Sequence, residues 1–130
     1  MSNSSPLRTI GFPSPAANYL EEPLDLNRLL VPHPAATFFM EAEGTAMEGA
    51  GIRCGDILVV DRSLPTAEGQ VVVAHVEGEL LMRRLERREG RAVLAAADST
   101  LPVYDCERLG DALKMFGVVT AVIHRMKTQD

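Results

Sequence analysis

The stretch Glu43-Gly44-Thr45-Ala46-Met47-Glu48-Gly49-Ala50-Gly51-Ile52 has the make-up of a reactive turn. A strand-like run over residues 36–42 precedes it, and a second, Gly55-Asp56-Ile57-Leu58-Val59-Val60-Asp61, follows. Glycines between two apolar strands bring backbone N–H groups and one short side chain to the lip of a sheet. A nucleophile placed there sits beside an oxyanion site. The position suited to it holds Ala46, which has no lone pair to offer. Thr45 is the nearest hydroxyl, but a displacement of one residue in a tight turn points its side chain elsewhere.

The other chemistry-bearing residues form no second constellation. His33, His75 and His124 are spread along the chain, and none falls at metal-ligand spacing from a cysteine or an acid. His75, inside an apolar run, reads as a packed or rim residue. Cys106 lies between Asp105 and Glu107 with no basic neighbour to lower its pKa, so it reads as structural or incidental. Asp56 and Asp61 flank a strand and read as turn formers rather than an acid pair. Phe38, Phe39, Phe116 and the methionines fall on strand faces and are expected to pack in the core.

The elements that must hold this turn are mostly strands. Residues 37–42, 57–60, 70–76, 79–86 and 91–96 are short apolar or alternating runs bounded by turn residues. Glu77-Gly78 and Glu89-Gly90 supply two-residue turns, which make residues 70–96 a run of hairpins. Val103-Tyr104-Asp105 reads as a short edge, and residues 115–123 close the sheet with Gly117 at a bulge or bend. Asp25 caps a short helix, Leu26-Asn27-Arg28-Leu29-Leu30, which Pro32 and Pro34 end. Its leucines are expected to seat it on the sheet. Residues 1–17 are rich in Ser, Pro, Ala and Asn and read as a flexible arm with an extended piece at residues 9–13. A single mainly β domain over residues 18–130 follows, and the last four residues are expected to fray.

Composition narrows the function classes. A chain of 130 residues with 46% hydrophobic content supports one packed domain and no second. The formal net charge of −5 repels nucleic acid at long range. The one dense basic cluster, Arg83-Arg84 with Arg87, Arg88 and Arg91, alternates between two strand faces and reads as a solvated, acid-balanced surface. No direct nucleic-acid partner is expected. Cys54 and Cys106 lack CxxC or His spacing and read as reduced thiols. No run approaches a membrane span or a signal peptide, so the expectation is a soluble, cytoplasmic protein without membrane association, metal or cofactor.

Several separated motifs together point to a family. Gly11-Phe-Pro-Ser-Pro-Ala-Ala, Asp25-Leu-Asn-Arg-Leu-Leu, His33-Pro-Ala-Ala-Thr, Gly55-Asp-Ile-Leu-Val-Val-Asp and Phe116-Gly-Val-Val resemble the UmuD family in order and spacing, over nearly everything after residue 10. That family is related to the C-terminal domain of the LexA repressor. The resemblance implies a β-clip type sheet sandwich with short helices and an N-terminal arm that crosses an active-site groove. It also implies a homodimer that serves as accessory subunit to a UmuC-like Y-family translesion DNA polymerase in the SOS response, with a RecA filament as a further contact.

Family chemistry is self-cleavage by a Ser–Lys dyad. The serine sits in a Gly-x-Ser-Met turn, and a lysine amine on a later strand takes its proton, which requires burial to depress that lysine's pKa. The resemblance puts Ala46 at the serine position, within Gly44-Thr45-Ala46-Met47, and Arg83 at the lysine position, within Met82-Arg83-Arg84-Leu85. The scissile pair becomes Ile10-Gly11. Alanine cannot attack a carbonyl, and a guanidinium stays protonated at physiological pH and cannot act as base. The only lysines, Lys114 and Lys127, lie near the chain's end.

The expectation is therefore a binding protein of this family that does not cut itself, with Arg83 hydrogen-bonding an arm carbonyl. Only ten residues precede Gly11, so the chain is expected to be made close to a processed form. The alternative is a Ser–Lys autopeptidase whose two catalytic residues have been altered. Trapping an uncut form needs one change, so the second favours a naturally inactive site. A LexA-like repressor is disfavoured because ten arm residues cannot form a helix-turn-helix.

Overall fold

The computed structural model describes residues 6–8, 10–11 and 23–128. The chain divides into two compact units, residues 1–32 and 33–130, each described by itself. The expected extended piece at residues 9–13 falls largely outside the described residues.

In the first unit the expected helix forms as α1 (Leu26–Leu30). The Asp25 carboxylate accepts from the Asn27 N–H at 3.0 Å and more loosely from Arg28 at 3.4 Å, satisfying donors that a helix start leaves open. None of its residues is buried. A Cβ at Gly11 would come 2.6 Å from that of Leu24, so the two segments touch where only glycine fits.

The second unit is built on seven antiparallel strands: β1 (Thr37–Glu41), β2 (Ile57–Asp61), β3 (Val71–Val76), β4 (Glu79–Arg88), β5 (Arg91–Ala95), β6 (Tyr104–Asp105) and β7 (Leu113–Ile123). They hydrogen-bond in the order β1-β2-β7-β3-β4-β5-β6. The mainly β expectation holds, with all seven strands joined in one sheet. Both predicted hairpin turns form: Glu77, Gly78, Glu89 and Gly90 all have positive φ, the backbone whose twist matches that of paired strands.

The last strand, β7, lies at the centre of the sheet between β2 and β3, and the sheet bends there. Its register with β3 skips Phe116, and its register with β2 skips Thr120. Gly117 is required at the first irregularity. A Cβ there would stand 2.8 Å from Val60 Cγ1 and 3.0 Å from the Asp61 carbonyl. The bend lets apolar residues cover both faces of β3. Val73 packs with Met47, Ile52, Leu58, Val60 and Met82, whereas Val72, Ala74 and Val76 pack with Leu94 and Val118.

Two expectations need correction, and one element was not foreseen. Phe38 and Phe39 are 43% and 60% exposed, because β1 lies at the edge of the sheet that the described residues form. Among the methionines, Met47 and Met82 are buried, but Met126 lies exposed beyond β7. The segment after β6 is a four-residue helix, α2 (Cys106–Leu109), whose Asp105 carboxylate accepts from the Glu107 and Arg108 amides. Cys106 packs on the Leu94 cluster, and burial raises its thiol pKa, with the Asp105 charge adding to the effect. No described helix is long and apolar enough to cross a membrane.

Candidate functional site

The turn after β1 is fastened at both ends. Gly55 N–H donates to the Ala42 carbonyl and Ala42 N–H to the Asp56 carbonyl, each at 2.8 Å. Inside the turn, Met47 is fully buried and acts as its anchor. Residues 48–50 wind into one turn of 3₁₀ helix, with Gly51 in the left-handed conformation at its end. The Ala46 carbonyl accepts from Asp98 N–H at 3.0 Å, which ties the turn to the segment after β5. Glycine spacing thus fixes a rigid loop whose one short side chain, Ala46, faces a groove.

That groove, of about 350 Å³, runs between the β1 end and β4. Ala46 and Arg83 both line it, together with Leu80, Leu81 and Met82 of β4 and with Glu41 and Glu43. Two residues 37 positions apart in sequence (83 minus 46) are thereby brought to one cleft. Thr45 is exposed and does not line the groove, and neither lysine does. The residues that line it therefore supply no hydroxyl and no amine. Ile10 and Gly11 belong to the other unit, where Ile10 is exposed.

Arg83 is not the solvated surface charge that its basic run suggested: it is only 8% exposed. Nη1 donates to the carbonyl of Met82 at 2.7 Å, and Nε–H is sealed from solvent with no partner among the described residues. No carboxylate among them pairs with it. Three other arginines of the run do meet acids or a carbonyl. Arg88 pairs with Glu86, Arg91 with Asp105 and Glu107, and Arg87 donates to the Gly90 carbonyl.

Two histidine–aspartate pairs, invisible to local pattern, brace β2. Asp61 is buried at its end, with His33 Nδ1 2.6 Å from one carboxylate oxygen. The other oxygen accepts from the Ser63 hydroxyl at 2.6 Å and from the Ser63 N–H at 2.8 Å. These bonds, the Ser63 hydroxyl foremost and His33 next, hold the Asp61 carboxyl at about 2. Asp56, buried at the other end, accepts from Arg53 N–H at 2.8 Å and lies 2.6 Å from His124 Nδ1. Its pKa is lowered by the Arg53 amide first and by His124 second. Both aspartates do form the turns expected of them. The serine here bonds to the carboxylate rather than to the imidazole, so this is a structural brace and not a nucleophile with its base. Among the described residues no three of His, Cys, Asp or Glu gather closely enough to hold a metal ion.

Comparison with known proteins places this geometry in context. A family model described as Peptidase S24-like matches residues 7–120. The chain is 42% identical over 120 residues to Protein SamA of Salmonella typhimurium, covering 92% of this chain and 82% of that one. It is 44% identical over 117 residues to Protein ImpA of Escherichia coli, covering 90% and 79% of the two chains. Protein MucA of Escherichia coli is similar at 41% over 110 residues, covering 85% and 75%.

Proposed function

The chain belongs to the Peptidase S24-like family and is UmuD-like within it, with an accessory role in the SOS response; we propose that it fills this role by binding alone. In this reading the protein forms a homodimer, docks on a UmuC-like Y-family DNA polymerase, and does not cut the bond between Ile10 and Gly11. Contact with a RecA filament belongs to the same reading. Residues 1–17 act as the arm and residues 18–130 as the folded body.

One observation carries the proposal: Ala46 and Arg83 line one groove. In this reading they stand where self-cleavage needs a hydroxyl and a neutral amine. A methyl group cannot attack a carbonyl, and a guanidinium cannot accept the proton that the attack would release. Homodimer formation is supported by the open edge of β1, where Phe38 and Phe39 leave apolar area in water. The test is co-purification of the unaltered chain with a UmuC-like Y-family polymerase. Retention of full-length chain on the polymerase supports the reading. Retention only after removal of residues 1–10 overturns the claim that cleavage is dispensable.

A further inference from the structure

The guanidinium of Arg83 is a buried cation with no counter-charge among the described residues. Of its five N–H donors, one meets the adjacent Met82 carbonyl, and Nε–H meets nothing among the described residues. Leaving such a donor unmatched is costly, and leaving the charge unpaired is costlier. A site that keeps an unpaired cation in the wall of a groove is arranged to have its charge matched by something that arrives.

The backbone beside Arg83 shows what shape that is. β4 pairs with β3 through residues 79–84 and with β5 only through residues 84–88. Along residues 79–83 the edge of β4 away from β3 therefore carries no strand among the described residues. This open edge borders the groove, flanked by Leu80 and Leu81. An extended peptide can add there as a strand, its main chain pairing with β4 and its apolar side chains meeting the leucines.

We propose that the groove binds an extended peptide of a partner protein, and that Arg83 recognises a carboxylate on it. A carboxylate on the terminal nitrogen that no bond engages supplies a charge-assisted acceptor together with the missing charge. Glu41 and Glu43 also line the groove, but both are exposed, so water and salt weaken their repulsion relative to the attraction of the buried cation. This inference goes beyond the accessory role and does not depend on it: co-purification with a polymerase reports on that role, whereas peptide selectivity reports on Arg83.

The experiment titrates the ¹⁵N-labelled full chain with two pools of acetylated, amidated pentapeptides. One pool has Glu at the centre and the other Gln, each flanked by mixed Val, Leu and Ile. The Glu pool should shift the backbone amides of residues 79–83 and move the Arg83 Nε–H signal to lower field. It should bind roughly tenfold or more tightly than the Gln pool, the scale of a charge-assisted bond. Arg83→Gln should erase the preference, and Arg83→Lys should keep a weaker one, with both variants first checked for native spectral dispersion. Equal binding of the two pools would mean that Arg83 reads a neutral carbonyl, as a docked arm would offer, and would overturn the proposal. So would a preference that survives Arg83→Gln, or a failure of the Glu pool to move residues 79–83.

Discussion

Replacing Arg83 with methionine should make the protein more stable. Methionine nearly matches the length and volume of the arginine stem, so the core neither collapses nor overpacks. What is lost is one bond from Nη1 to the Met82 carbonyl, 2.7 Å long and worth about 1.5 kcal/mol because its donor is charged. What is relieved is an unmatched buried Nε–H, at about 1–3 kcal/mol, and the partial desolvation of a groove-lining cation with no ion-pair partner among the described residues, at about 1–2 kcal/mol, a fraction of the cost of full burial. The net expectation is a gain of about 1–3 kcal/mol. In urea denaturation this raises the midpoint by about 1 M at an unchanged slope of roughly 1.5–2 kcal/mol per M for a chain of this size. A midpoint that falls would show that the guanidinium has a compensating partner, and the argument for an unsatisfied cation would fail. A rise would show the protein keeping Arg83 against its own stability, as expected of a residue held for binding.

Other outcomes follow from the same structure. Gly117→Ala must push its methyl group into Val60 and the Asp61 carbonyl, so it should cost about 1–3 kcal/mol in the same denaturation assay, whereas Gly44→Ala crowds nothing nearby and meets only backbone strain. The Asp61 carboxyl is held at about 2, below its ordinary 3.8, so its contribution is complete above about pH 4 and disappears as pH falls towards 2. Asp61→Asn should flatten the loss of stability in that window, and an unchanged acid profile would contradict the bonds assigned to it. Phe39→Ser exchanges an exposed aromatic for a polar residue on the open β1 edge and should shift the chain from dimer to monomer in light scattering at micromolar concentration.

Much of this architecture is written locally. Glu77-Gly78 and Glu89-Gly90 need left-handed backbone, and that need alone locates two hairpins. The Gly44 to Gly51 spacing marks the turn that presents Ala46, and Asp25 marks the start of α1. The two braces of β2 were out of reach because their partners are 28 and 68 residues apart. No local period connects a histidine to an aspartate across that separation. The helix after β6 was within reach: Asp105 followed by Glu107 is an N-cap signature, but four residues hold too little periodicity to announce a helix. Phe38 and Phe39 misled because strand patterning identifies a face without saying whether anything covers it, and β1 turned out to be an edge. Local pattern did not show the burial of Arg83, since Arg87, Arg88 and Arg91 beside it carry ordinary surface charges; only the lysine position given by the resemblance, a place that needs burial, pointed to it.

The central claim concerns chemistry, so the most direct measurement follows covalent change. Intact mass of the purified chain should be recorded over days at mildly alkaline pH, beside a variant carrying both Ala46→Ser and Arg83→Lys. The account predicts that the unaltered chain keeps its full mass throughout, whatever the double variant does. A fragment beginning at Gly11 from the unaltered chain would contradict it.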